Sequence, residues 1–345
     1  MDSSENVSSS LNTDDDYNFS VSSYLDISST SYDDTNVEDF NLWSERLLKN
    51  YMFVFCGFGL PANILIIATI SKFHSRCPAS FLLCYLALID SVALVAKLLE
   101  TQIIFYHVYL GRFGCKINSM PSVTLTSVSN WTVVLISSER YIAICKPLKK
   151  RIWCTNKRCK IAVSLMSGIL TVTFVIVFFI FVDINSYGFC SVIHVTLNSF
   201  HWLQFILSIA IPFILVTILT NGVIRALYYA RCQRRKFFID KRSQKRHYLA
   251  EQQNQTAVSS SERMEKLSLL MMSTVLLYFV VYLPVCVTFL VIRPLYKNNF
   301  DSLVELITNI FYVLSDSSHV LNFFLYFVFV SGFRRNVYKL LRSVC

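Results

Sequence analysis

The sequence predicts an all-α membrane protein: a seven-transmembrane helix bundle finished by a short amphipathic cytoplasmic helix. Apolar residues make up 54% of the chain, more than a soluble domain of this length carries if it is to cover its core with polar surface. Seven apolar stretches reach the roughly 20 residues needed to cross about 30 Å of hydrocarbon at 1.5 Å per residue, near 48–71, 79–100, 113–144, 160–183, 199–230, 264–292 and 303–330. None shows the alternation of a barrel strand, and only helices or closed barrels satisfy every backbone group in lipid. The expected organisation is a tail over 1–47, the bundle over 48–330 and the amphipathic helix with the C-terminus over 331–345.

Residues 1–47 are a different material, rich in Ser, Asp, Asn and Thr, with eleven of the chain's 22 acids against one base, Arg46. Such a segment cannot bury enough apolar surface to offset its ordering entropy, so a disordered acidic tail is expected. It holds no apolar run that would serve as a cleavable leader, which leaves the first span as the insertion signal.

Orientation follows from the loops. With the tail outside, the inner segments hold 24 of the chain's 32 lysines and arginines, which the positive-inside rule reads as cytoplasmic. The expected location is therefore the plasma membrane, multi-pass, with the N-terminus extracellular and the C-terminus cytoplasmic. The net charge of +10 is split across the bilayer, basic inside and acidic at the tail, so it points to topology and anionic membrane lipid, and no nucleic acid partner is expected. Asn6-Val7-Ser8 and Asn18-Phe19-Ser20 are glycan acceptor tripeptides in the outer tail, whereas Asn130-Trp131-Thr132 falls in a span and Asn254-Gln255-Thr256 in an inner loop. Asn6 and Asn18 are thus the expected glycosylation sites.

Most of the eleven cysteines read as small packing residues or reduced thiols. Cys115 opens the third span from outside and Cys190 lies in the outer loop between spans four and five, both facing an oxidising compartment, so they are the expected disulfide pair. Cys345 follows a short amphipathic stretch and is a palmitoylation candidate. Phe333, Val337, Leu340 and Leu341 repeat at the spacing of one helical face, with Arg334, Arg335 and Lys339 between them, as an interfacial helix requires.

The spans carry few polar groups, and those few stand out because lipid makes them costly. Glu139-Arg140-Tyr141 ends the third span, Asp90 interrupts an apolar run in the second, and Asn322-Phe-Phe-Leu-Tyr326 closes the seventh. With seven spans, an outer N-terminus, Cys115 and these motifs in order, the chain resembles a rhodopsin-like (class A) G-protein-coupled receptor over residues 48 to 342. From Cys115 to Arg140 is about 37 Å of helix, so the two lie at opposite faces.

The resemblance implies a receptor for an extracellular ligand that signals to a heterotrimeric G protein, with arrestin and receptor kinases as further partners. Arg140 keeps its charge at all working pH values, and its implied role is to be masked by Glu139 at rest and to meet the G protein when the bundle opens. Tyr141, Asn322 and Tyr326 belong to the same implied coupling switch. Asp90 is implied to gather Asn63, Ser129, Ser318 and Asn322 into a pocket for a sodium ion acting as an allosteric modulator; the alternative is a protonated Asp90 bonded between helices. Pro212, Tyr282 and Pro284 mark the implied helix bends and toggle. The pattern departs from the family where Phe323 replaces the proline after Asn322, where Tyr282 replaces tryptophan and where Ala62 replaces glycine.

Ligand class is read from the outer half. Ser122 stands where an aminergic receptor needs a carboxylate, and no lysine lies between 303 and 330 for a retinal Schiff base. Lys97, Glu100, Tyr106, Arg293 and Asp316 remain as ligand-binding candidates; Lys97 and Glu100 sit where they can neutralise each other, while Asp316 has no local partner and is expected to meet a cationic ligand group. These mixed charges, the acidic tail and the run Leu321 to Tyr326, similar to FMRFamide-type neuropeptide receptors of invertebrates, point to a short peptide. A lipid or small-metabolite receptor is the alternative, and a seven-helix transporter or channel the alternative of another class. No inverted repeat supports transport, and the scattered histidines form no HExxH spacing, so no enzyme is expected.

Overall fold

The computed structural model describes residues 35–73, 77–106, 108–184, 190–192, 197–243, 277–278, 280–292 and 302–343. In order these form α1 (Thr35–Phe73), α2 (Pro78–Phe105), α3 (Gly111–Cys145), a short α4 (Pro147–Trp153), α5 (Asn156–Phe181), a two-stranded antiparallel hairpin of β1 (Val182–Ile184) and β2 (Cys190–Val192), α6 (Leu197–Phe205), a π-helical turn over Ile206–Ala210, and α7 (Ile211–Ser243). The chain ends in α8 (Val280–Ile292), α9 (Ser302–Asp316), α10 (Ser318–Phe329) and α11 (Ser331–Arg342). Arg46–Phe73, Pro78–Phe105, Asn156–Phe181 and Ser199–Ala230 are each long and apolar enough to cross a membrane. With α3, α8 and the α9–α10 pair they make the seven spans of a multi-pass membrane protein.

Two boundaries differ from expectation. The tail was expected to run to residue 47, but helix begins at Thr35, because the last polar residues continue the first span's hydrogen-bond ladder with no Pro or Gly to stop it. The seventh span, read from the sequence as the stretch 303–330, breaks at Ser317, whose hydroxyl donates to the Leu314 carbonyl at 2.6 Å. That local bond offers the backbone an alternative to the helical ladder, and it supplies the interruption that Phe323 cannot.

The helices read as lipid-facing on one side and interlocked on the other. On α5, Ile161, Leu165, Ile169, Val172, Ile176 and Ile180 are each at least half exposed and recur at three- and four-residue spacing, a continuous apolar stripe that is costly in water and suits hydrocarbon. The opposite face buries Leu170, Phe174, Val177 and Phe178 with Cys115 and Val128 of α3. α3 itself, 35 residues long, turns Ser122, Thr124, Ser127, Ser129, Asn130 and Thr132 into the bundle, as the most surrounded helix must. Gly59 lets α1 approach α2 and α10: a Cβ there would stand 2.6 Å from Leu94 and 3.0 Å from Val320.

The amphipathic helix is present as α11. Phe333 and Val337 are buried with Ile70, Ala87 and Tyr326 at the lower end of the bundle, while Leu341 is 45% exposed. Here and below, the end holding Cys115 is called upper and the end holding Arg140 lower.

Candidate functional site

The polar residues inside the bundle fall into three layers. At the upper end, Lys97 of α2 forms an ion pair with Asp316 of α9, and Tyr51 of α1 donates its hydroxyl to the other Asp316 oxygen at 3.1 Å. Asp316 was expected to lack a partner because the nearest bases in sequence are far away; the fold brings Lys97 to it across the bundle. Lys97 pairs with Asp316 and also acts on the charge of Glu100, which meets the hydroxyls of Ser119 and Ser122 on α3. Tyr106, at the exposed end of α2, lies with Phe105 beneath the Lys49 ammonium, which is 4.2 Å from the Phe105 ring centre and 5.8 Å from that of Tyr106. Arg293 lies outside the described residues, as do Asn6, Asn18 and Cys345. Cys115 is fully buried and disulfide-bonded; Cys190 opens β2, opposite Ile184 of β1, and its side chain also lies outside the described residues.

The middle layer centres on Asp90, which is fully buried. Its Oδ1 accepts from Ser129 Oγ at 2.6 Å and lies 2.7 Å from His319 Nδ1, and its Oδ2 accepts from Asn322 Nδ2 at 2.8 Å. Of the expected group, Ser129 and Asn322 meet the carboxylate; Asn63 and Ser318 do not. Asn63 Nδ2 donates to the His319 carbonyl at 3.0 Å and leaves its Oδ1 without a hydrogen-bond partner among the described residues. Ser318 lies 3.1 Å from the Tyr282 hydroxyl, which also donates to Asn130 Oδ1 at 2.7 Å. A tyrosine at this position has a hydroxyl to place, and α3 and α10 supply its partners. A small cavity of about 20 Å³, large enough for one water, lies among Ser129, Asn130, Tyr278, Tyr282, Ser318 and Asn322.

Sequence reasoning left His319 unassigned, because a single histidine in an apolar helix makes no motif. Asn130 and Trp131 were passed over as part of an unusable glycan tripeptide, and both have structural work. Pro212 has no N–H, so carbonyls one turn before it lose their helical donor. The Ser208 carbonyl is taken instead by Asn130 Nδ2 at 2.8 Å, and the Leu207 carbonyl by Trp131 Nε1 at 2.9 Å. The π-helical turn ahead of Pro212 is thus stapled to α3. Pro284 plays a milder part: its carbonyl accepts from Thr288 at 3.1 Å, just where α8 turns π-helical.

A sodium ion, which the family resemblance implies at Asp90, fits these residues poorly. A hard cation needs a shell of oxygen donors, and the carboxylate is already faced by two hydrogen-bond donors, Ser129 and Asn322, and by a ring nitrogen of His319. Asn63 Oδ1 is an orphan oxygen nearby, but one oxygen is short of a shell.

At the lower end, Glu139 is 3% exposed and stands between two bases, Arg140 Nε and Lys150 Nζ, each 3.4 Å away. These are ion pairs too long to be good hydrogen bonds, and both Glu139 oxygens lack a hydrogen-bond partner among the described residues. Lys150 is presented by α4, a turn that starts at Pro147, where the fixed φ suits a first helical position. Arg140 is only 14% exposed. Tyr141 packs on α7 at Gly222, where a Cβ would stand 2.6 Å from the tyrosine ring. Tyr326, buried, stacks edge-on against Phe333 of α11 at 6.1 Å.

The family described as 7 transmembrane receptor (rhodopsin family) matches residues 62–326, well over half of the chain. The thyrotropin-releasing hormone receptor of Mus musculus is 26% identical over 187 residues, covering 51% of this chain and 47% of that receptor. The thyrotropin-releasing hormone receptor of Homo sapiens aligns with the same identity and coverage. Rhodopsin of Myripristis berndti is 31% identical over 105 residues, 30% of each chain. The chain thus spans about half the length of the hormone receptors it matches.

Proposed function

Because the chain belongs to the rhodopsin family of seven-transmembrane receptors, we propose that it is a plasma-membrane receptor that binds a short peptide at its upper end and signals to a heterotrimeric G protein at its lower end. The upper end faces outside and the lower end the cytosol, in keeping with the 24 inner bases. Arrestin and receptor kinases are the expected lower-end partners after activation. The observation that carries the reading is the masking of Arg140 by Glu139: a permanently charged group, held by a contact at 3.4 Å, is a latch that a change of packing can release.

The upper layer supports the ligand class. Lys97, Asp316, Tyr51 and Glu100 form a part-buried polar floor between α1, α2, α3 and α9, suited to a ligand with both a donor and an acceptor group. The hormone receptors among its relatives agree with a messenger of this kind, and the likeness to FMRFamide-type receptors suggests an amidated peptide. The acidic tail adds long-range attraction for a basic one. The Cys115 disulfide, assigned here to Cys190, ties the β1–β2 hairpin to α3 and shapes the mouth.

Cells expressing the chain, screened with amidated short peptides while calcium and cyclic AMP are read together, are expected to respond to one of them, and Arg140→Ala to abolish that response without loss of surface protein. A response that survives Arg140→Ala overturns the latch. Asp316→Asn is expected to lower peptide potency about tenfold, the effect of a contact contributing about 1.4 kcal/mol. The self-neutralised Lys97–Asp316 pair also suits a second reading, a lipid or small-metabolite ligand. Deleting residues 1–40 separates the two, since only the peptide should lose potency.

A further inference from the structure

We propose that His319 is the built-in partner of Asp90 and takes the place of a sodium ion, so that this receptor's Asp90 site is closed to monovalent cations. The argument rests on the residues around Asp90 and is independent of which ligand the receptor binds.

Three observations carry it. The His319 ring is 1% exposed and its Nδ1 lies 2.7 Å from Asp90 Oδ1; an ionised carboxylate only accepts, so this nitrogen carries the proton and directs it into the space a cation would need. The ring is also held from behind. Its Nε2 lies 3.5 Å from Thr126 Oγ1 of α3, so swinging it aside gives up that contact as well as the one to Asp90, while Asn63 Nδ2 of α1 holds the backbone carbonyl of the same residue. Lastly, the neighbouring cavity is walled by Ser129, Asn130, Ser318 and Asn322 together with Val133, Leu277, Tyr278, Val281 and Tyr282, and neither Asp90 nor His319 lines it. Ser129 and Asn322, which bond the carboxylate, stand between it and this cavity.

The consequence is a receptor whose resting state is stabilised by its own side chain, whatever the salt. A cation that binds only the folded state raises Tm by mass action, so sodium sensitivity is measurable without a known agonist. Purified full-length receptor is heated in sodium chloride and in choline chloride at equal ionic strength, about 0.15 M. Wild type is expected to melt at the same temperature in both. His319→Ser, which removes the ring and leaves a hydroxyl oxygen, is expected to melt about 3 °C higher in sodium, a shift matching a site filled to several times its Kd. Adding Asp90→Asn to His319→Ser should cancel that gain.

Equal responses in wild type and His319→Ser, whether both rise or neither does, overturn the proposal. Should His319→Ser not fold, the sodium NMR linewidth measured on wild type decides. No broadening beyond that given by Asp90→Asn supports the proposal, and broadening that Asp90→Asn abolishes overturns it. Neither measurement uses signalling, so failure of the receptor reading leaves this test intact.

Discussion

The Asp90 cluster and the Glu139 cluster are both carboxylates buried among helix ends and faces, yet they are held in opposite ways. Asp90 accepts hydrogen bonds from Ser129 at 2.6 Å and Asn322 at 2.8 Å and lies 2.7 Å from His319 Nδ1. Glu139 has two bases at 3.4 Å and no hydrogen bond. In a low dielectric a satisfied network strengthens each of its bonds, whereas an ion pair without hydrogen bonds recovers little of its desolvation cost. The carboxylate in the middle of the bundle is thereby held closely and the one at the lower end loosely.

The comparison breaks most visibly at Asp90. Asp90→Ala leaves the donors of His319, Ser129 and Asn322 unpaired, a loss of about 3–5 kcal/mol, read as a fall in Tm of about 10 °C in the purified receptor. An unchanged Tm would mean that the middle is no more fixed than the end. Asn130→Ala strips partners from the Ser208 carbonyl and from Tyr282 together; the cost should be about 1–3 kcal/mol, again a Tm effect.

The lower end should respond in signalling more than in stability. Glu139→Gln removes the negative charge beside Arg140 and is expected to raise ligand-independent signalling about tenfold, equivalent to a shift of about 1.4 kcal/mol in the resting equilibrium, with little change in Tm. A large Tm loss without a signalling gain would place Glu139 with Asp90 as a structural group. The smallest effect belongs to Lys150, whose side chain is 42% exposed. Lys150→Ala should raise basal signalling about twofold, the size of a partly screened ion pair, and raising the salt concentration should erase the difference.

How far the sequence foretold these sites depends on the range of the contacts. The spans were legible because a hydrocarbon layer imposes length and composition on every crossing segment. Asp90, Glu139 and Arg140 were legible because charge inside such a segment is costly and so conspicuous. Partners were not legible. Lys97 and Asp316 are 219 residues apart and Asp90 and His319 are 229 apart, so no local spacing links them, and Asp316 accordingly read as unpaired. Asn130 and Trp131 looked like a misplaced glycan tripeptide until α3 was set beside the turn ahead of Pro212.

By itself the sequence determined the class of solvent, the number of crossings, the positions of the costly charges and the helix-breaking prolines, since each of these follows from what a residue loses or keeps when its own segment enters lipid. Only the tertiary structure decided which donor faces which acceptor. That choice depends on helix rotation and on contacts such as Gly59 against Leu94 and Gly222 against Tyr141, where a few tenths of an ångström between distant segments fix the register of everything they carry.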